Sequence, residues 1–147
     1  MAQNTDMEAT YLEYLDNYRT LSLATVSSRG SAVDCSTVCF ALGNNGSLII
    51  AVDPESQKAK NLRNTGAFAC ALDDGLNVAR GIKVSGTARR LLDEKDIDHA
   101  KDALIERIPS IKRFMDRENI DFFELKPERR VLINFGWGVN WKLEIDQ

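Results

Sequence analysis

The chain has 147 residues, with 19 Lys and Arg against 22 Asp and Glu, a formal charge of −3, and 44% apolar residues. A chain of this length buries roughly two-thirds of its unfolded surface around one core, which predicts a single domain over residues 1–147. The acidic balance, with no strongly basic block, argues against a protein that coats nucleic acid or an anionic membrane. The longest apolar runs, Val38 to Leu42 and Ala67 to Leu72, fall far short of the roughly 18 residues that begin to suggest a membrane span. The first ten residues carry neither a basic start nor an apolar run of the export type, so a cytoplasmic protein is expected.

Residues 7–18 place Tyr11, Leu12, Leu15 and Tyr18 at helical spacing beside acidic positions, which predicts an amphipathic helix within residues 1–19. Leu21 to Val26, closed by Ser27-Ser28-Arg29-Gly30, reads as a strand entering a tight turn, and Ala32 to Leu42 as its partner. Asn45-Gly46 is a hairpin signal, because both residues tolerate positive φ, and it leads into a third strand from Ser47 to Asp53. Asp53-Pro54-Glu55-Ser56 has the make-up of a helix start, with Asp53 or Ser56 able to cap and Pro54 tolerated in the first turn. The helix is expected through Arg63 and to stop near Gly66. Two further strands, Ala67 to Leu72 and Gly81 to Leu92, flank a polar loop at 73–80. Helices follow at 94–107 and 109–118, separated by Pro109, and strands at 129–135 and 139–145 flank Gly136-Trp137-Gly138. The segments therefore divide as an N-terminal helix (1–19), a barrel core (20–92), helices (93–118) and C-terminal strands (119–147). Antiparallel strands with short turns and marginal helices predict a mainly β, α+β barrel.

Three cysteines without a CxxC pair predict reduced thiols that pack as small hydrophobes, with no metal site. The single histidine, His99, falls in a charged helical stretch and is expected to be solvated. No Ser-His or Cys-His hydrolase arrangement is visible, and no catalytic acid or base is assigned. Ser56, Gln57 and Lys58 stand at a helix start after a strand, where free backbone N–H groups favour an anion and Lys58 adds a charge. Lys60 and Arg63 extend that positive field. The same run also reads as an ordinary solvated helix face.

The order LSLATVSSRG, a long second strand, an apolar third strand leading into SQKAKNLRN, then AFACAL and GIKVSGTARRL, resembles the pyridoxamine 5′-phosphate oxidase-like family of FMN-binding split barrels. The resemblance runs from about Leu21 to about Leu92, and more loosely to Ile145. It implies a six-stranded antiparallel split β-barrel of Greek-key type with short flanking helices, a homodimer, and FMN at the subunit interface. The residues that it assigns to the cofactor are Cys35, Ser36, Thr37 and Val38 on the second strand, and Ala51 and Val52 ending the third. At the helix start it assigns Ser56, Gln57 and Lys58, and it assigns Trp137 as an aromatic side chain from the partner subunit; Trp141 is expected as a core or interface anchor.

The sequence also departs from the family pattern. Phe40 stands where the name-giving oxidase carries a basic residue, and Asn134 to Gly138 lacks the Arg-x-His element, so the oxidase itself is not expected. Relatives that handle heme use histidine, and this chain has only His99. The expected function is an FMN flavoprotein that passes hydride or electrons to a small-molecule acceptor. A non-catalytic flavin-binding, storage or redox-sensing module is the alternative, as is a reductase using a deazaflavin (coenzyme F420), for which Lys58, Lys60, Arg63, Arg80 and Lys83 are available cations.

Overall fold

A computed structural model describes residues 2–73, 80–140 and 142–145. Its elements in chain order are α1 (Ala2–Asp16), β1 (Thr20–Val26), β2 (Val33–Cys39), β3 (Ala41–Leu42), β4 (Leu48–Val52) and α2 (Gln57–Thr65). These are followed by β5 (Ala67–Asp73), β6 (Arg80–Arg90), α3 (Glu94–Arg107), α4 (Lys112–Met115), β7 (Asp121–Asn134) and β8 (Lys142–Ile145). All strand pairs are antiparallel, and the sheet runs β2-β1-β5-β6-β7-β4-β3, with β8 added to β7. This is the expected α+β split barrel, with eight strands among the described residues rather than the expected six. Trp141 and residues 74–79, most of the expected 73–80 loop, lie outside the described residues.

The long second strand expected over 32–42 is broken. Val33–Cys39 pairs with β1, while Ala41 and Leu42 pair with Ile49 and Leu48 of β4. Between them Phe40 turns fully into the core and donates its backbone N–H to the Arg19 carbonyl. The two ends of the sheet, β2 and β3, are thus consecutive in the chain, and the barrel is split at that point. The Asn45-Gly46 turn forms as expected, with φ of 55° and 75°, and sets the β3–β4 register.

The C-terminal strand begins at Asp121, eight residues before the expected Arg129. Pro127 reads as a strand breaker in the sequence. In the fold it lies opposite Gly86, where the β6–β7 register shifts between Ser85 and Gly86 and a missing N–H is tolerated.

Period-2 alternation sends Leu21, Leu23, Phe68, Cys70, Leu72, Ile82 and Val84 into the barrel, where Tyr11 and Leu15 of α1 join them. A second apolar layer lies outside β4 and β7, with Ile49, Ala51 and Phe122 covered by Ala100 and Leu104 of α3 and by Met115 of α4. Burial raises the Cys70 thiol pKa to about 12, consistent with an inert core cysteine. Cys35 is exposed instead of buried, because it faces outward on an edge strand.

The helix α1 is fastened to the barrel by polar contacts. Arg130 of β7, 7% exposed, grips the Glu8 carboxylate with both terminal nitrogens at 2.7 and 2.5 Å and lies 4.9 Å from the Tyr11 ring centroid. The Arg130 hydrogen bond holds the Glu8 carboxyl below its ordinary value of 4.5. A carboxylate with a depressed folded pKa contributes stability above its unfolded pKa and loses it as pH falls through the folded one. The melting-temperature gap between wild type and Glu8→Gln is therefore expected to be full at neutral pH and to close as pH drops below 4.5. A gap independent of pH in thermal melts would contradict the pairing.

Candidate functional site

The turn between β4 and α2 forms the backbone of the expected anion seat. Ser56 caps α2: its Oγ accepts from the Ala59 N–H at 3.3 Å and donates to the Asp53 carbonyl at 2.6 Å. The Ser56 hydroxyl proton is therefore committed within the turn. The Asp53 carboxylate accepts from the Glu55 N–H at 2.9 Å, which turns that acidic group back on its own loop. The backbone N–H groups of Gln57 and Lys58 have no acceptor among the described residues, and the half-buried Lys58 ammonium has no ion pair among them. Two free amides and a free ammonium at the positive end of a helix suit a phosphate monoester.

The helix α2 is seated on β1 by buried polar contacts. Asn61 donates to Thr25 Oγ1 at 3.1 Å and accepts from the Gln57 side chain at 2.8 Å. One N–H of the Gln57 side-chain amide is therefore committed inside the helix, while its backbone N–H has no acceptor among the described residues. On β2 the pleat divides the expected residues between two faces. Ser36 and Val38 point inward, across from Leu23 and Leu21, while Cys35 and Thr37 point outward beside Ala24 and Ser22. Ser36 Oγ is buried with no hydrogen-bond partner among the described residues, an unmet polar group of the kind that a bound molecule satisfies.

Adjacent residues of β4 are divided in the same way. Val52 belongs to the barrel core, and Ala51 to the layer beneath α3 and α4. Trp137 packs against Tyr14 of α1 with ring centroids 6.5 Å apart and planes tilted by 31°, and Arg80 lies 5.9 Å from the Tyr14 ring centroid. His99 is exposed on α3, at a recess of about 280 Å³ shared with Arg89, Asp96 and Glu124.

Of the site residues expected from the sequence, only Cys35 and Thr37 lie on the outward face of β1, β2 and β5. Register aligns Thr37, Ser22 and Ala71 in one row and Cys35, Ala24 and Ala69 in the next, all short side chains, and most are exposed. A shallow apolar depression of about 260 Å³ lies between Val33 and Ala67 on this face. The alternation of small residues in AFACALD and LSLATV was its available signal.

The family model for pyridoxamine 5′-phosphate oxidase matches residues 7–134. The chain belongs to this family. No match is found among curated proteins. Among solved structures, this oxidase-family chain is similar to the conserved hypothetical protein Rv2991 from Mycobacterium tuberculosis, with 22% identity, 84% and 81% of the two chains covered and a TM-score of 0.71. It is similar to ChuZ from Campylobacter jejuni at 17% identity and a TM-score of 0.81, covering 97% of this chain but 60% of that one. The heme storage protein HutZ from Vibrio cholerae matches at 17% identity and a TM-score of 0.68, with 84% and 89% covered. At these identities the likeness is one of fold. Among the described residues of this family member, no helix is long and apolar enough to cross a membrane.

Proposed function

We propose that the protein is a homodimeric FMN-binding oxidoreductase acting on a small molecule. The observation that carries this reading is the anion seat at the start of α2, where the Gln57 and Lys58 amides and the Lys58 ammonium have no other partner among the described residues. Membership of an oxidase family whose name-giving reaction is a flavin reaction supports it. FMN, when bound, supplies reversible acceptance of hydride or electrons from a donor. In this reading the chain's own residues hold and shield that chemistry. Lys58 and the two amides neutralise the phosphate, and the buried Ser36 hydroxyl meets a polar atom of the cofactor. Val38 and Val52, both buried in the barrel core, pack behind the site. The short side chains on the outer face of β1, β2 and β5 let a second copy approach closely, and Trp137 of that copy covers the flavin. No side chain is assigned as acid or base.

The deciding experiment is titration of the purified protein with FMN and with riboflavin, followed by visible absorption. Loss of the Lys58 ammonium removes a charge-assisted contact of about 1.5–3 kcal/mol. Lys58→Ala is thus expected to weaken FMN binding by one to two decades while leaving riboflavin binding and the fold unchanged. Equal FMN binding by wild type and Lys58→Ala would place the phosphate elsewhere. A monomer by light scattering would remove the shared site. Saturable binding of the deazaflavin alone would keep the barrel and change the cofactor.

A second reading, heme binding or storage, is favoured by His99, which is accessible beside apolar Leu42, Ile49 and Leu91, and by the fold likeness to HutZ. Hemin titration separates the two readings: a Soret shift abolished by His99→Ala supports heme, whereas hemin binding indifferent to His99 does not.

A further inference from the structure

Arg63, in the last turn of α2, uses its two terminal nitrogens in different directions. Nη1 donates to Asp121 Oδ2 at 2.6 Å, and Nη2 donates to the Pro54 carbonyl at 3.1 Å. Pro54 lies in the turn that leads directly to the free amides of Gln57 and Lys58. Asp121, at the start of β7, is 4% exposed, and its other oxygen accepts from Arg90 of β6 at 2.9 Å. A carboxylate fixed in the sheet therefore holds Arg63, and Arg63 holds the turn. The residues joined in this way are 58 positions apart for Arg63 and Asp121, and nine for Arg63 and Pro54.

We propose that Asp121 and Arg63 are positioning residues for the phosphate-binding turn at 53–58, holding it in its binding conformation before the ligand arrives. The proposal rests on the flavin-phosphate reading above. A turn ordered in advance spares the bound state the entropy of ordering it, so the effect belongs to affinity for the phosphate and not to the ring. The arrangement also separates positioning from simple charge. If Asp121 acted only through its field, removing its negative charge would strengthen binding of a dianion nearby. If it acts by holding Arg63, removing that charge weakens binding.

Asp121→Asn, titrated with FMN and riboflavin alongside wild type, tests the sign. The expected result is an FMN Kd raised about tenfold, the scale seen when a supporting shell is removed, with riboflavin affinity unchanged. An FMN Kd that is unchanged or lower overturns the proposal, as does an equal loss of both affinities, which would mark a merely structural pair. If Asp121→Asn does not fold, Arg63→Lys decides. It keeps the charge, but one ammonium does not reproduce the two-pronged grip, so FMN alone is expected to weaken, and unaltered FMN affinity overturns the proposal. Wild-type protein that binds FMN and riboflavin equally overturns the phosphate reading and this inference with it. A wild-type preference for FMN that survives in the variants overturns this inference alone.

Discussion

Gly86→Ala is expected to destabilise the protein by about 3 kcal/mol or more, the upper range for forcing atoms into a filled site. A Cβ at this position would drive into the Lys126 carbonyl oxygen and sit 2.8 Å from the Glu128 nitrogen. Both neighbours are backbone, so no side chain can swing aside. The site is the bulge in the β6–β7 ladder, where Ser85 faces Arg129 and Gly86 faces Pro127, leaving Glu128 as the extra residue. That ladder runs from Arg80↔Asn134 to Arg90↔Phe123 and joins the two halves of the barrel. At about 2–4 °C per kcal/mol for a chain of this size, the melting temperature should fall by roughly 6–12 °C or more. A Gly86→Ala protein that melts with the wild type would show that the close approach is relieved by the backbone.

Arg107→Ala is expected to cost about 3 kcal/mol, because one guanidinium serves several groups on another element. From the last turn of α3 its Nη2 donates to the Leu15 carbonyl at 2.6 Å and to the Tyr18 carbonyl, while Nη1 reaches the Asp16 carboxylate at 3.3 Å. Its carbon lies 5.1 Å from the centroid of the Phe40 ring. The Leu15 carbonyl, in the last turn of α1, accepts from the Tyr18 N–H at 3.2 Å as well, so the arginine adds a second, charged donor at this helix end. Burial lowers the Arg107 pKa, with Asp16 opposing. Each contact to a charged group contributes about 1.5–3 kcal/mol, and the cation–ring contact about 0.5–2 kcal/mol, with incomplete additivity. Urea unfolding should show a lower midpoint at constant slope. Arg107→Lys, which keeps the charge and loses the fork, should recover only part of the loss; full recovery would mean that charge alone suffices.

Much of the barrel was legible in the sequence because its signals are local. Asn45-Gly46 dictates its own dihedrals, Ser56 and Gly66 bracket α2 as cap and left-handed terminus, and alternation in AFACALD predicts which residues of β5 enter the core. The break at Phe40 carries no local signal, since the residues on either side of it are ordinary strand formers. The start of β7 was obscured by Pro127, whose position becomes acceptable only opposite a glycine on another strand. In the site, the helix-start chemistry of Ser56 to Lys58 is written in consecutive residues and could be read directly. The division of Cys35 to Val38 between two faces follows from the pleat. The hold of Asp121 on Arg63 joins residues 58 apart, and no local pattern encodes it.

The seam at Phe40 also orders how the molecule comes apart. Among the described residues β2 has a ladder on one side only, to β1, and β3 has one only to β4, so the barrel closes here through covalent chain and not through a row of hydrogen bonds. Amides on the free side of β2 have no strand to shield them, whereas those of β6 and β7 lie between neighbours on both sides. In hydrogen exchange, the amides of β2 are therefore expected to exchange before those of the β6–β7 ladder, and equal protection of the two would contradict this order.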